Sequence, residues 1–588
     1  MNTKATKPAE GGSASGGKTS AIAGVRKLLP LLKEERGPLA LTALTILLAS
    51  GINLSVPYIF GYAVDHYVRT ANYPGIFTTT LALLVAFVIA LGTSYWQMQL
   101  MGRVGQRMLF RLRNMIFSKL QSLPIAFFNR NKAGDLISRI NNDTDKLNQF
   151  FSETLVRFMM SIVMIVGSSI FLITINWRLG LAALIPAVAL YIFTQATSPW
   201  VKKRNAESLR ATGGLSAEIQ ESLEHFKVVV AFDRRDFFRD RFAIANKINF
   251  KAAVRAGIAS ALYPPIYDLC ANLAILIVLG YGIYLVSMQS LTLGLLLSFL
   301  IYVERFYGPL RQIAMLWNSF QLALAAWDRV SEIIDEAMEM PVLKADKASE
   351  GAFVRFNAVS FSYPERPDVL RNINIDLERG KTYALVGPTG GGKTTTASLM
   401  ARLYDPTVGT ILFDGRDLRS YSEVERTQKI GFILQEPFLF TGTVLENIFY
   451  ANTNFATSTN EEKVDAINSM GLERLLSRFE RGLDTPVSGA DSISLGQKQL
   501  IAFMRAVLRK PELLILDEAT ANIDTVTEEL LQQALDILPT TTTKVIIAHR
   551  LNTIEKADGI FFVNNGELTA AGTLDKAVDM LMHGKRQS

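Results

Sequence analysis

The sequence of 588 residues has only one cysteine, Cys270, and four histidines. A single thiol excludes a framework of intrachain disulfides and fits a soluble part that faces a reducing cytoplasm. Residues 1–20 are rich in Thr, Ala, Gly and Ser and lack the apolar core of a secretory signal peptide. We therefore expect residues 1–21 to be a disordered tail or an expression linker.

Charged residues are scarce in long stretches of the N-terminal half, where apolar residues are concentrated. A helix that spans a bilayer needs about 20 mostly apolar residues, and six stretches meet or approach this length. These stretches are Leu39–Val64, Ile76–Leu100, Leu155–Ile175, Leu179–Trp200, Tyr263–Val286 and Leu291–Trp317. We expect this half to be an α-helical transmembrane bundle.

Lys and Arg are nearly absent from the short connections around Asn176 and Ser287–Ser290, whereas the connections on the other side are long and basic. The cationic residues of the long connections include Arg103, Arg107, Arg111, Arg113, Lys202, Lys203, Arg204 and Arg210. This is the positive-inside pattern of a membrane protein, and it explains the net charge of +7 without a nucleic-acid partner. We expect a multi-pass protein of the cytoplasmic (inner) membrane with both termini in the cytoplasm.

The long connections, Met101–Glu153 and Val201–Leu262, show helical periodicity and no strand-like alternation. We expect long helices that continue from the membrane into the cytoplasm. Ile22–Arg36 mixes leucines with Lys and Arg, a composition typical of an amphipathic helix at the membrane interface. The alternative for this segment is a cytoplasmic extension of the first span, which Pro30 and Gly37 would interrupt.

Five charged residues lie within or near the predicted spans. They are Asp65, Arg157, Asp268, Glu304 and Arg305. Such residues usually face a bundle interior or a water-filled path, where they can line a substrate cavity. The alternative is that they pair with other residues or meet cytoplasmic water.

The composition changes near Ile333–Glu350, after which the sequence has the mixed charge of a soluble α/β domain. We predict a transmembrane domain over residues 22–334, a linker over 335–350 and a soluble domain over 351–588.

The soluble part contains the P-loop pattern Gly387–Thr394 between the strand-like run Thr382–Val386 and a helix-like run, which is its required context. The glycines let backbone N–H groups close around phosphate oxygens, and a helix N-terminus favours negative charge. Lys393 would contact the β- and γ-phosphates, and the Thr394 hydroxyl would bind Mg²⁺. The pattern predicts an α/β P-loop ATPase domain that binds ATP and Mg²⁺.

A second apolar run, Leu513–Leu516, ends at Asp517 and Glu518. Beside a P-loop, Asp517 suits a Mg²⁺ ligand that acts through water, and Glu518 suits a general base for the attacking water. The alternative for this pair is a favourable charge at a helix N-terminus.

Further motifs occur in order around these two. They are Tyr363 in Phe361-Ser362-Tyr363-Pro364, Gln435 in Leu434-Gln435-Glu436-Pro437, the run Ser494-Leu495-Gly496-Gln497, Asp524 in Ala521-Asn522-Ile523-Asp524, and His549 in Ala548-His549-Arg550. This order resembles the ATP-binding cassette (ABC) family, and the six preceding spans make the chain similar to bacterial multidrug- or lipid-type exporter half-transporters. The resemblance covers nearly all of the chain after the N-terminal tail.

The resemblance implies a role for each matching residue. Tyr363 would stack on adenine, Gln435 would sense Mg²⁺ and the γ-phosphate, and His549 would act near the γ-phosphate. The signature motif around Ser494 completes the ATP site of the opposite subunit in this family. The implied catalytic residues are Glu518 and His549, and the implied metal ligands are Thr394, Gln435 and Asp517. The implied nucleotide-binding residues are Tyr363, Gly387, Pro388, Thr389, Gly390, Gly391, Gly392, Lys393, Thr394, Thr395, Gln435, Ser494, Gly496, Gln497 and Asp524.

Two segments of the basic connections resemble the coupling regions of the family. They are Pro124–Arg139 and Glu221–Phe232. If these segments bind a groove on a cassette, apolar residues such as Phe127 have a reason to lie in a cytoplasmic loop. The alternative is that such residues pack within the helical bundle. The signature motif departs from the common pattern at Leu495, and the segment before it lacks the usual acidic and basic pair. Such divergence is common in half-transporters that work as heterodimers.

The resemblance implies export or flipping of an amphipathic molecule, drug-like or lipid, driven by ATP hydrolysis and alternating access. The partner would be a second half-transporter, in a homodimer or a heterodimer, with membrane lipid around both. Alternatives are an exporter of peptides or metal chelates, and an ATP-gated or regulatory half of a heterodimer. The presence of Lys393, Asp517, Glu518 and His549 together argues against a non-hydrolysing role. The six apolar spans argue against a soluble ATPase that acts on nucleic acid.

Overall fold

The computed structural model of the protein describes residues 35–336, 340–344, 351–363, 366–488, 493–517, 525–547, 554–572 and 574–583. By their internal contacts these residues form two compact units. The first comprises the helical N-terminal part except Ser122–Lys132, and the second comprises Ser122–Lys132 and the C-terminal part. The predicted amphipathic helix over Ile22–Arg36 lies almost entirely outside the described residues, and the predicted domain limits stay predictions.

The first unit is entirely helical in its described residues. Its helices are α1 (Arg36–Ala63), α2 (Tyr73–Gln121), α4 (Ala133–Ser138), α5 (Thr144–Gln149), α6 (Leu155–Ile175), α7 (Trp177–Glu224), α8 (Phe226–Ala231), α9 (Arg235–Ala261), α10 (Tyr263–Ser287) and α11 (Leu293–Asp335), while α3 (Ile125–Arg130) belongs to the second unit. Among the described residues, six helical stretches are long and apolar enough to cross a membrane. The six predicted spans lie on α1, α2, α6, α7, α10 and α11, as expected.

The helices continue well beyond the apolar stretches. Helix α2 has 49 residues and α7 has 48, and at 1.5 Å per residue each is about 70 Å long, more than twice the hydrocarbon thickness of a bilayer. The helical periodicity of the basic connections is therefore confirmed. The short connections end in N-caps: the side chains of Asn176 and Thr292 accept from the backbone N–H of Leu179 and Leu295.

Helices α1 and α11 touch at two glycines. A Cβ atom on Gly294 would overlap the carbonyl oxygen of Gly61, and one on Gly61 would overlap the carbonyl oxygen of Gly294 and the hydroxyl of Ser298. Small residues allow such backbone approach between membrane helices, where packing replaces the hydrophobic effect as the driving force. This contact fixes the distance between the first and last spans.

Hydrogen bonds extend this contact along the same helix pair. The Asp65 carboxylate accepts from the Thr292 hydroxyl and from the backbone N–H of Gly294, the latter at 2.8 Å. Farther along, Ser298 donates to the carbonyl of Pro57 at 2.7 Å and Tyr302 donates to the carbonyl of Leu54 at 2.5 Å. Polar groups inside a bilayer need such partners, and the Asp65 side chain therefore has a structural role here.

Charged side chains also pair in other parts of the first unit. Asp268 accepts from Arg311 at 2.7 Å, which fits the pairing alternative for this residue. Asp143 is fully buried and forms ion pairs with Arg329 and Lys146 at 2.5 and 3.0 Å. The pair with Arg329 joins the segment after α4 to α11.

The second unit contains an antiparallel sheet, a larger mostly parallel sheet and short helices. Its strands are β1 (Val354–Tyr363), β2 (Arg366–Leu377), β3 (Thr382–Val386), β4 (Val408–Phe413), β5 (Arg416–Asp417), β6 (Ile430–Ile433), β7 (Gly442–Thr443), β8 (Pro486–Val487), β9 (Leu513–Asp517), β10 (Thr543–Ile547), β11 (Gly559–Asn564) and β12 (Glu567–Ala570). Its further helices are α12 (Lys393–Met400), α13 (Glu423–Lys429), α14 (Val444–Ile448), α15 (Asn460–Ser469), α16 (Leu495–Val507), α17 (Thr525–Asp536) and α18 (Leu574–His583).

The larger sheet has the strand order β12-β11-β3-β10-β9-β6, and all neighbours in it are parallel except β11 and β12. The inner strands β9 and β10 lie between two core clusters, and β3 contributes to one of these and to a third cluster, as expected for a parallel sheet covered on both faces. The helical first unit and the α/β second unit confirm the predicted fold class. Parallel strands also bring the segments that follow β3 and β9 to one edge.

We predict that Gly294→Ala destabilises the helical unit, because the added methyl group would collide with the Gly61 backbone. Overpacking of this kind costs about 1–3 kcal/mol. Thermal unfolding of the detergent-purified protein should show a lowered midpoint. Gly280→Ala on α10 is the matched control, since a Cβ atom there meets open space; equal midpoints for the two variants would contradict the close contact of α1 and α11.

Candidate functional site

The loop Gly387–Gly392 connects β3 to α12 at the carboxyl edge of the larger sheet. Lys393 begins α12 and is only 6% exposed. Its ammonium group donates to the carbonyl oxygens of Gly387 and Pro388 at 2.7 and 3.2 Å. The positive charge is thereby held inside the curve of the loop, beside the N-terminus of α12, where an anion is electrostatically favoured.

Two glycines of this loop are required by the strand beneath it. A Cβ atom on Gly387 would overlap the carbonyl oxygen of Val563, and one on Gly391 would lie 2.6 Å from the same oxygen. Val563 is part of β11, which is paired with β3. The end of β11 therefore forms the floor of the loop, and neither position has room for a side chain; Gly387 also has a positive φ of +148°.

Asp517 ends β9 and is 3% exposed. The Thr394 hydroxyl donates to its carboxylate at 3.3 Å. Strand β10 lies between β3 and β9, so the parallel sheet itself brings Thr394 and Asp517 together. A hydroxyl and a carboxylate at this separation fit Mg²⁺, which takes oxygen ligands and usually keeps several waters while it contacts one or two carboxylates and phosphate oxygens.

A cavity of about 850 Å³ opens beside the loop. It brings together eight of the predicted site residues: Tyr363, Thr389, Gly390, Gly392, Lys393, Thr394, Thr395 and Gln435. Five further lining residues were missed in the sequence: Asp368, Val369, Arg371, Asn565 and Gly566. The Asn-Gly dipeptide between two apolar runs is a recognisable hairpin signal, but nothing local in the sequence indicates that this hairpin reaches the site.

The ring of Tyr363 is held in place at one end of this cavity. Its hydroxyl lies 3.3 Å from that of Thr395, and its ring packs edge-to-face on Phe361 and Tyr404 with centroid distances of 4.8 and 5.3 Å. An exposed face on a ring fixed in this way suits stacking on a planar base.

Tyr404 connects Tyr363 to helix α3. The side chain of Asn129 donates to the Tyr404 hydroxyl at 2.6 Å, and Phe127 on the same helix is buried. Burial and the neighbouring Tyr363 raise the pKa of Tyr404, so its phenol stays protonated at neutral pH. Helix α3 lies in the first predicted coupling region, and it thus contacts Tyr404, the residue that supports Tyr363.

Gln435 lies just after β6, and its side chain lines the cavity. Its backbone carbonyl accepts from the side chain of Gln499 at 2.8 Å, and Gln499 is 1% exposed on α16. This bond connects the residue that faces the cavity to the helix that begins with the signature motif.

The signature motif forms the N-terminus of α16. Ser494 is the N-cap: its hydroxyl accepts from the backbone N–H of Gln497, whose side-chain oxygen accepts from the N–H of Ser494 at 2.9 Å. Leu495 occupies the first helical position, where a leucine is compatible with helical geometry. Ser494, Gly496 and Gln497 are not among the residues that line the cavity. Glu518, Asp524 and His549 lie outside the described residues.

Helix α8, in the second predicted coupling region, exposes an apolar surface in the first unit. Phe226, Val228 and Phe232 are 54%, 54% and 71% exposed, and within α8 only Val229 is buried. Taken by itself, the second unit has an apolar groove between β6 and α16 that is lined by residues such as Leu434, Phe438 and Phe440.

Comparison with known families gives two matches that together cover most of the chain. A profile described as "ABC transporter transmembrane region" matches residues 39–310, and one described as "ABC transporter" matches residues 370–521. An ABC transporter ATP-binding protein of Bacillus subtilis (YfiC) is 32% identical over 94% of this chain and 92% of its own length.

Two other relatives have names that state a cargo. A fatty acid ABC transporter ATP-binding/permease protein of Mycobacterium bovis is 35% identical over 84% of this chain and 78% of its own length. An ATP-dependent lipid A-core flippase of Syntrophus aciditrophicus is 31% identical over 93% of this chain and 91% of its own length.

We predict that Tyr404→Ala weakens ATP binding several-fold, because Tyr363 loses the ring that fixes its orientation. Tyr404→Phe keeps the ring and removes only the hydroxyl that accepts from Asn129, so it should bind ATP with nearly wild-type affinity. Displacement of a fluorescent ATP analogue from the detergent-purified protein measures both. Equal affinities for the alanine and phenylalanine variants would show that Tyr404 does not position Tyr363.

Proposed function

Because this chain belongs to the ABC transporter family, as a multi-pass exporter that couples ATP hydrolysis to transport, we propose that it exports or flips an amphipathic lipid-like molecule as one half of a dimer in the cytoplasmic membrane. Lys393 and Thr394 line one cavity, and the Thr394 hydroxyl bonds to Asp517; this arrangement is the single observation that best supports the hydrolytic part. The long connections are rich in Lys and Arg, which supports an orientation with these connections and the ATPase domain in the cytoplasm.

The proposed nucleotide site uses the residues that line the cavity. Tyr363 stacks on adenine, the P-loop N–H groups and Lys393 bind the phosphates, and Thr395 lies next to Tyr363 at the nucleoside side of the loop. When bound, Mg²⁺ neutralises charge that develops on the β- and γ-phosphates. Thr394 and Asp517 would hold it, and Gln435, which lines the same cavity as Thr394, is the proposed third ligand.

Water attack on the γ-phosphate is assigned to residues that follow the neighbouring strands. Glu518 follows β9 and would accept the proton of the attacking water, while His549 follows β10 and would stabilise the γ-phosphate oxygens. Both assignments rest on the sequence order beside the P-loop and on the placement of the strand ends.

Two observations support a second half-transporter as partner. None of the signature residues Ser494, Gly496 and Gln497 lines the cavity beside Lys393 and Tyr363, which supports the family arrangement in which another subunit supplies the signature. The apolar face of α8 and the apolar groove beside Phe438 also suit burial against a partner. The partner could be a second copy or a related chain, and chemical crosslinking in native membranes distinguishes the two.

The proposed cargo class is supported by the names of two relatives, a fatty acid transporter and a lipid A-core flippase. Stimulation of ATP hydrolysis by lipids and amphipathic drugs in reconstituted vesicles tests this class. No stimulation and no movement of any labelled lipid would contradict it.

We predict that Glu518→Gln keeps ATP binding but loses nearly all turnover, because the amide cannot accept the proton of the attacking water. Phosphate release and binding of a fluorescent ATP analogue measure the two properties. Glu512→Gln is the matched control: Glu512 lies just before β9 and pairs with Lys429 and Arg379, and it should keep turnover. A Glu518→Gln dimer that hydrolyses ATP at the wild-type rate would contradict the assignment.

A further inference from the structure

The hairpin turn between β11 and β12 lies against the phosphate-binding loop. Asn564 pairs with Glu567, which leaves Asn565 and Gly566 as a two-residue turn. Both have positive φ, +49° and +77°, which is the conformation that such turns require. The turn is therefore rigidly built, and its position is set by β11, which is paired with β3.

Two backbone hydrogen bonds fasten this turn to its surroundings. The N–H of Gly566 donates to the carbonyl of Gly391 in the loop at 3.2 Å, and the carbonyl of Gly566 accepts from the N–H of Arg371 on β2 at 2.8 Å. Gly566 is thus bonded to the phosphate-binding loop on one side and to the smaller sheet on the other.

The approach at Gly566 is close enough to exclude any side chain. A Cβ atom there would lie 2.6 Å from the carbonyl oxygen of Val369 and 3.3 Å from the Cα atom of Leu370. Leu370 also leaves little room for a side chain at position 392, since a Cβ atom on Gly392 would lie 2.7 Å from the Leu370 side chain. The phosphate-binding loop, the turn and β2 therefore all contact one another.

We propose that the Asn565–Gly566 turn is a positioning element of the ATP site, which holds the phosphate-binding loop in the conformation that accepts the nucleotide. The turn acts through Gly391: its hydrogen bond and the Val563 carbonyl oxygen beneath it fix the loop from below. Arg371 and Asn565 also line the cavity, so displacement of the turn would change its wall as well as the loop. The proposal rests on the nucleotide site proposed above.

The test is Gly566→Ala in the full-length, detergent-purified chain. The added methyl group would push the turn away from Val369, and the loop would lose its support. We expect the KM for ATP and the dissociation constant of a fluorescent ATP analogue to rise by roughly tenfold, within the range expected for overpacking at a tight contact. The kcat should change far less, because the groups assigned to hydrolysis are untouched.

Gly572→Ala is the matched control. Gly572 has nearly the same φ, +75°, but a Cβ atom there meets nothing within 4 Å. It carries the backbone strain of the substitution without the collision, so its KM should stay at the wild-type value. Gly566→Asn separates the same causes at one position, since Asn tolerates positive φ yet has a Cβ atom, and it should lose affinity as Gly566→Ala does.

Lys393→Ala separates this proposal from the site on which it rests. If Lys393→Ala binds ATP normally, the proposed site is wrong; if Lys393→Ala loses binding while Gly566→Ala keeps the wild-type KM, only the positioning role is overturned. Should Gly566→Ala fail to fold, hydrogen exchange of the wild-type protein decides. The Gly566 amide should exchange more slowly once ATP and Mg²⁺ are added, because a fixed loop keeps its bond to Gly391, and unchanged exchange would contradict the proposal.

Discussion

The nucleotide site depends on one constraint, the parallel alignment of β3, β10 and β9 with β11 on the other side of β3. Parallel neighbouring strands end at the same edge of a sheet. For this reason Thr394 and Asp517 are in hydrogen-bond contact although more than a hundred residues separate them in the sequence. The same alignment places the end of β11 under the phosphate-binding loop. The loop is therefore shaped by the sheet and not by its own residues alone.

The sequence predicted those parts of the molecule in which local pattern determines structure. The strand before the P-loop was predicted with the bounds that it has, and the six spans were predicted from the length and apolar composition of their runs. Apart from Thr394 and Asp517, which were expected at one Mg²⁺ site, the particular contacts between distant segments could not be predicted. Nothing near Asn129 or Tyr404 indicates that they meet, and the close approach of Gly61 to Gly294 depends on how two helices cross.

The signature motif shows how a departure from a family pattern can leave local structure intact. Leu495 follows an N-cap serine, and the capping bonds between Ser494 and Gln497 involve neither the side chain nor any special backbone angle of the residue between them. A leucine there changes the surface that α16 presents and leaves the start of the helix unchanged. The capping bonds therefore give no reason to expect that Leu495 alters the start of α16.

Residues Ser122–Lys132 belong by their contacts to the ATPase unit although the chain places them between two membrane helices. An exchange of the C-terminal part between two exporters would therefore separate Asn129 from Tyr404, the tyrosine to which it donates a hydrogen bond. Chimeric transporters that join one chain's spans to another's ATPase need this short internal segment to come from the same parent as the ATPase.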